Sequence, residues 1–210
     1  MKIFLPLISL IALISLFVNF KLLNPSETVT KIADGDTFET DKGRYRLLGV
    51  DAPELNRCFG PEAKARLTEL ILNKPVELKE PKKEEFGRKM VLVYVNGQLI
   101  NETMMREGFG QPDYSKNSKR EVLTAASHEA KNNKTGLWSS CILPPKSSNS
   151  ENPACQIKAN IDSGTYEKFY HLPNCRHYHE VVLNLAFGDL WFCTEEEAQS
   201  AGFTKSKSCP

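Results

Sequence analysis

The sequence has almost no excess charge of either sign. Its 27 lysines and arginines stand against 26 aspartates and glutamates, a net charge near +1. That balance excludes a large nucleic-acid footprint held by bulk charge, while leaving room for a local basic cleft. Internal repeats and low-complexity tracts are missing too, which excludes repeat arrays and long disordered tails. No CxxC pair occurs, so the commonest zinc and redox spacings are lacking. Between Val18 and Leu23 there is no small-x-small cleavage signal, because Phe17, Phe20 and Leu22 fill the positions it needs. The apolar stretch that ends there has no polar face, and a buried core helix does not fit it.

That stretch, Ile3 to Phe20, is interrupted only by Ser9, Ser15 and Asn19 and is bracketed by Lys2 and Lys21. At roughly 18 residues it reaches the lower limit of a membrane-spanning helix. The preferred reading of residues 1–23 is a retained signal anchor, with a cleaved signal peptide as the alternative. Either one exports the rest of the chain. In an oxidising compartment, six cysteines read as disulfides. Two of them, Cys58 and Cys141, flank a central region; Cys155, Cys175, Cys193 and Cys209 fall in the tail. The total of 210 residues, 40% of them apolar, allows one ordinary domain and a small module.

Along the chain, Thr28–Ala33 predicts a strand into the acidic turn Asp34-Gly35-Asp36, and Thr37–Thr40 the returning strand. Asp41-Lys42-Gly43 is a hairpin turn. Tyr45–Val50 is so continuously apolar that it predicts a strand buried on both faces, as in a closed barrel. Gly60-Pro61 opens a helix with Ala63, Leu67, Leu70 and Ile71 on one stripe. Val76–Leu78 and Lys89–Val95 predict strands, Lys79–Glu85 an exposed charged turn, and Asn96-Gly97 a tight turn. Leu99–Arg106 and Lys119–Asn132 complete three helices. Residues 142–154 are a Pro/Ser-rich linker, and 155–210 form a module too small to hold a core without cross-links. The fold class is α+β: a five-stranded barrel with about three packed helices, plus a small disulfide-stapled C-terminal domain.

The chemistry concentrates around Arg46-Leu47-Leu48-Gly49-Val50-Asp51-Ala52-Pro53-Glu54. An arginine opens an apolar strand that ends in two carboxylates separated by a proline. Asp36 lies upstream and Phe86-Gly87-Arg88 downstream. Each piece alone has an ordinary reading: a turn, a pair of helix-entry acids, surface ion pairs. Taken in order, they supply carboxylates for a hard cation, an acid to handle water and two guanidiniums for phosphate. That set makes a metal-dependent phosphodiester hydrolase.

These words resemble the thermonuclease family, the staphylococcal-nuclease-like proteins with an OB-fold barrel. The matching stretches are Ile32–Thr37, Arg46–Glu54, Gly60–Ala63, Phe86–Arg88 and Gly136–Trp138, within roughly residues 24–141. The resemblance implies Ca²⁺-dependent cleavage of DNA and RNA by a monomer. Asp36, Asp51 and the main-chain carbonyl of Ala52 would hold the ion, and Arg46, Glu54 and Arg88 would form the catalytic set. Tyr114 is a candidate to stack on a base or bind phosphate. Departures from the family pattern are Ala52 where threonine is common, Phe86 where tyrosine is frequent, and a short Leu55–Phe59 loop without a lysine-rich flap. They bear on substrate preference more than on chemistry.

The resemblance also implies a Cys58–Cys141 disulfide closing a long loop, worth ~3–4 kcal/mol in the chain-entropy model. The tail resembles a small module appended to some bacterial thermonucleases, and also the zinc domain of Ada-type repair proteins. A zinc site of His171, Cys175, Cys193 and Cys209 is therefore open, but Ser206 stands where that pattern expects cysteine. Two disulfides are preferred, paired Cys155–Cys193 and Cys175–Cys209 among three possible connectivities. His177 and His179 are expected on an exposed strand face. The rival functional readings are a silent nucleic-acid-binding OB module and a cell-envelope interaction protein.

Overall fold

The computed structural model describes residues 26–83, 88–113, 115–162 and 164–210. The predicted anchor, Phe86-Gly87 and Tyr114 lie outside the described residues. Among these residues, no helix is long and apolar enough to cross a membrane.

Three strands open the chain: β1 (Glu27–Ile32), β2 (Thr37–Thr40) and β3 (Gly43–Leu47). They run as an antiparallel meander through the predicted turns, Phe38 facing Tyr45 and Thr37 facing Arg46. After α1 (Gly60–Ile71) come β4 (Pro75–Lys83), β5 (Lys89–Val95) and the two-residue β6 (Gln98–Leu99). Parallel pairing of β3 with β5 and antiparallel pairing of β1 with β4 close β1–β5 into a barrel. Its interior holds one apolar cluster, with Val29, Phe38, Leu47, Val91 and Val93 wholly buried. Closure removes the free strand edges that an open sheet would expose.

Three further helices pack outside: α2 (Ile100–Arg106), α3 (Arg120–Asn132) and the single turn α4 (Leu137–Ser140). The stripe of α1 is as expected, with Ala63, Leu67 and Ile71 buried at four-residue spacing and Leu70 packed at its margin. The ends of two strands differ most from the sequence reading. β3 stops at Leu47 rather than Val50, because Gly49 turns the chain at φ 80°. Leu48 still donates to the Val91 carbonyl at 2.8 Å, and Leu48 and Val50 are wholly buried. β4 continues through Lys83, into the stretch expected as a charged turn, by taking an irregularity between Lys79 and Lys82 with Glu80 at φ 51°.

The expected linker contains a short strand, β7 (Ile142–Leu143). Beyond it, β8 (Ile157–Ile161), β9 (Lys168–His171), β11 (Leu190–Phe192) and β12 (Thr204–Lys205) form a sheet in the order β11-β8-β9-β12. Helix α5 (Glu195–Ser200) starts in a capping box of Thr194 and Glu197. The remaining strand, β10 (Leu183–Asn184), leaves the module to pair with β7.

All six cysteines are bonded as expected: Cys58–Cys141, spanning 83 positions, Cys155–Cys193 and Cys175–Cys209. The zinc alternative loses all three of its thiolates to these bonds. His177 and His179 are exposed, but they flank and occupy a 3-10 turn (Tyr178–Glu180) rather than a strand. Tyr178 is buried between them, and its hydroxyl donates to the Gln156 carbonyl at 2.7 Å. That anchor fixes the turn.

Candidate active site

The barrel delivers its acids from two turns that meet across β3. The first is Asp34-Gly35-Asp36, where the Asp34 carboxylate accepts from the Asp36 N–H at 3.1 Å. A Cβ on Gly35 would lie 2.7 Å from the Cβ atoms of both Ala52 and Ala63, so only glycine lets this turn seat against the second loop and α1. The second turn follows Leu47. Its Asp51 pairs in both directions with the Gln111 backbone at 2.8 Å, and this clamps the loop to the chain beyond α2.

Between the turns stands Arg46. Its Nη2 lies 2.8 Å from Asp36 Oδ2 and 2.7 Å from Asp51 Oδ1, so one nitrogen gathers an oxygen from each acid. Asp36 is only 2% exposed. It also accepts from the Thr37 hydroxyl at 2.8 Å and the Ala52 N–H at 3.0 Å. Gln111 adds a side-chain contact to Asp51 Oδ2 at 3.3 Å. Burial pushes the Asp36 carboxyl up from 3.8 to about 7, against the pull of Arg46 and the Ala52 N–H. Burial also raises Asp51, opposed by Arg46 and then Gln111.

These residues fit a hard divalent cation. The side-chain donors are carboxylate oxygens, the ligand type such an ion prefers, and one from each acid comes within 2.8 Å of the same arginine nitrogen. Among the described residues no group of three or more His, Cys, Asp or Glu could hold a metal, so two carboxylates would need backbone and water oxygens to complete a shell.

Of the remaining sequence candidates, Glu54 is exposed three positions beyond Asp51. Its carbonyl accepts from the Arg57 N–H at 2.8 Å, and a Cβ on Gly60 would sit 2.0 Å from that same oxygen. The Glu54 backbone is thus pressed onto the start of α1. Arg88 is half-buried one residue before Lys89, which pairs with Tyr45 beside Arg46. Ala52 is buried, and its N–H serves Asp36.

Three supports were not read from the sequence. Asn101 is wholly buried; it donates to the carbonyls of Leu48 at 2.9 Å and Val91 at 3.2 Å and accepts from the Val93 N–H at 2.8 Å. It pins the strand end that leads into the site. Gln111 and Thr37 brace the two acids. An asparagine at the start of an apolar helix is a signal that could have flagged the first; nothing local marks Gln111.

The model of the staphylococcal nuclease homologue family matches residues 44–140. That span includes Arg46, Asp51, Glu54 and Arg88 and begins after Asp36. An uncharacterized endonuclease of Escherichia coli O157:H7 is 31% identical over 123 residues, 56% of this chain and 80% of that protein. An uncharacterized endonuclease of Haemophilus influenzae is 34% identical over 115 residues, 52% of this chain and 64% of that protein. The staphylococcal-like nuclease CAN1 of Arabidopsis thaliana is 31% identical over 99 residues, 47% of this chain and 30% of that protein. The chain thus spans less than two thirds of the last two relatives. With four-fifths of the first covered and a barrel of the expected topology, the chain belongs to the staphylococcal nuclease homologue family.

Proposed function

We propose that this chain is an exported, Ca²⁺-dependent nuclease that hydrolyses phosphodiester bonds of DNA and RNA. Held to the membrane by its N-terminal segment, it would work as a monomer outside the cytoplasm. The observation that carries the reading is the convergence of Asp36 and Asp51 on one nitrogen of Arg46, with Glu54 three residues further on. Names of relatives that include endonuclease and nuclease support the reaction class.

In this reading Asp36, Asp51 and the Ala52 carbonyl would hold Ca²⁺, which would supply charge neutralisation of the phosphate and orientation of water. Glu54, exposed three residues beyond Asp51, takes a proton from the attacking water or positions it. Arg46 and Arg88 donate forked hydrogen bonds to the phosphate oxygens, and these strengthen as charge builds in the transition state. A lysine at either position would keep the charge and lose the fork.

The test is degradation of plasmid DNA and of RNA by the full chain, disulfides intact, with Ca²⁺ or with chelator. Glu54→Gln keeps the shape of the side chain and removes its basicity, so cleavage should fall at least ~10²-fold. Binding without cleavage in the wild type would overturn the reading in favour of the silent OB module.

A further inference from the structure

The C-terminal module is joined to the barrel by more than its linker. Strand β10 pairs with β7, Leu183 opposite Leu143 and Asn184 opposite Ile142, and the Leu185 N–H donates to the Cys141 carbonyl at 3.0 Å. The next residues, Leu185, Ala186 and Phe187, enter an apolar cluster built from Cys58, Phe59 and Leu137 of the nuclease domain. Gly188 then lies against Arg57: a Cβ there would be 3.6 Å from the guanidinium.

Two of the residues touched, Arg57 and Phe59, lead to the site. Arg57 is the residue whose N–H holds the Glu54 carbonyl. Phe59, at φ 68°, precedes Gly60, on which the Glu54 backbone rests. Phe59 also stacks on Phe109 with centroids 5.3 Å apart, two residues before the Gln111 that clamps Asp51. One apolar cluster therefore touches both loops, the one that carries Glu54 and the one that fixes Asp51.

The inserted segment is itself held stiff. Asp189, 6% exposed, accepts from the Asn184 N–H at 2.7 Å and the Ile161 N–H at 2.8 Å. Its carboxylate closes the turn that follows β10 and bolts it to β8. A buried carboxylate that accepts from two N–H donors on different strands ties those strands together, because losing either bond would leave its oxygen short of a partner.

We infer that the segment Leu185–Gly188 of the C-terminal module, held by Asp189, is a positioning element for the nuclease site that sets the Glu54 loop and the Asp51 clamp through Phe59. Phe187 and Asp189 are its positioning residues. The inference rests on the nuclease reading above only for its consequence in catalysis; the mechanical claim stands on the contacts.

The experiment is hydrogen exchange on the full chain with disulfides intact, comparing wild type, Phe187→Ala, Phe187→Leu and Asp189→Asn. The amides to follow are Arg57 and Gly60 in the loop, Asp51 and Gln111 in the clamp, and Val91–Val93 in the barrel core. Phe187→Ala and Asp189→Asn should speed the loop and clamp amides by about tenfold or more while leaving the core amides unchanged. Phe187→Leu, which refills the cluster, should restore most of the protection. On a single-stranded DNA oligonucleotide with Ca²⁺, the two disruptive variants should lose about tenfold in kcat with KM within about twofold, the pattern of a misplaced catalytic group.

Unchanged exchange at Arg57 and Gly60 would overturn the inference, as would acceleration spread equally over loop and core. Should Phe187→Ala not accumulate as folded protein, Asp189→Asn removes no volume and decides by the same criteria. If the wild type cleaves nothing, the nuclease reading falls and the exchange data alone decide the mechanical claim.

Discussion

In the barrel, Val29, Phe38, Leu47, Leu67, Val91 and Met104 are wholly buried in a single apolar cluster. The C-terminal module rests on Ile157, Ala159, Tyr170, Ala198 and Phe203, two of them alanines. Its remaining cohesion is covalent and polar. Two disulfides cross it, Asp189 ties β10 to β8, and Lys158 is wholly buried at its centre. The Lys158 ammonium donates to the carbonyls of Pro145, Val181 at 3.2 Å and Tyr178 at 3.5 Å, and lies over the rings of Tyr178 and Trp191. A small chain segment that cannot bury enough apolar area gains its order from cross-links and satisfied polar groups. The barrel holds its charged groups beside a large apolar core, whereas the module uses its polar groups to hold itself together.

The comparison breaks most decisively in the barrel core. Leu47 follows Arg46 directly and is wholly buried. Leu47→Ala should destabilise the chain by about 2–5 kcal/mol in urea unfolding without Ca²⁺. A cost under about 1 kcal/mol would mean that the barrel does not depend on apolar packing as described.

In the module the corresponding change is Lys158→Met, which keeps the length of the side chain and removes its donors. Three carbonyls then lose a partner, at a cost of about 1–3 kcal/mol, partly offset because a desolvated charge is also removed. Burial already draws the Lys158 ammonium below its usual pKa. Faster hydrogen exchange along β8 and β9, with the barrel amides unchanged, is the expected result. A variant as protected as wild type would show that the Lys158 bonds add nothing to what the disulfides, the small core and Asp189 already hold.

The same division decides what was legible in the sequence. The barrel's strands and turns follow local chemistry: the apolar alternation around Phe38, the acidic turn before Thr37, the tight turn at Asn96-Gly97, where both residues have positive φ. Asp36, Arg46 and Asp51 stand in order along the sequence, and their meeting follows once β2 and β3 pair. The pairing of β7 with β10 was not legible, because two-residue strands some forty positions apart carry no periodicity. β4 was cut short because its charged half resembles a turn until the irregularity at Glu80 is seen. Asn101, Gln111 and Asp189 act on backbone groups distant in sequence, and no local pattern records such partners.

Buried carboxyls occur in both regions, and pH separates them. Burial raises Asp36 to about 7 in the barrel and raises Asp189 in the module. A carboxyl whose folded pKa exceeds its unfolded value of 3.8 binds its proton more tightly in the native state. Its stabilising contribution is present below about pH 4 and is lost as pH rises through about 7. In chelator, the melting temperature should therefore fall as pH climbs across that window. Saturating Ca²⁺ requires deprotonated Asp36, so its stabilisation grows with pH, and its apparent affinity should rise by up to about tenfold per unit below 7. The slope in Ca²⁺ should be shallower than in chelator, leaving the part due to Asp189, which no ion relieves. Equal slopes in the two conditions would separate Asp36 from the ion. An Asp36→Asn chain should show a shallower slope in chelator than the wild type and little response to Ca²⁺, because one of the barrel's two raised carboxyls is gone while Asp51 and Asp189 remain.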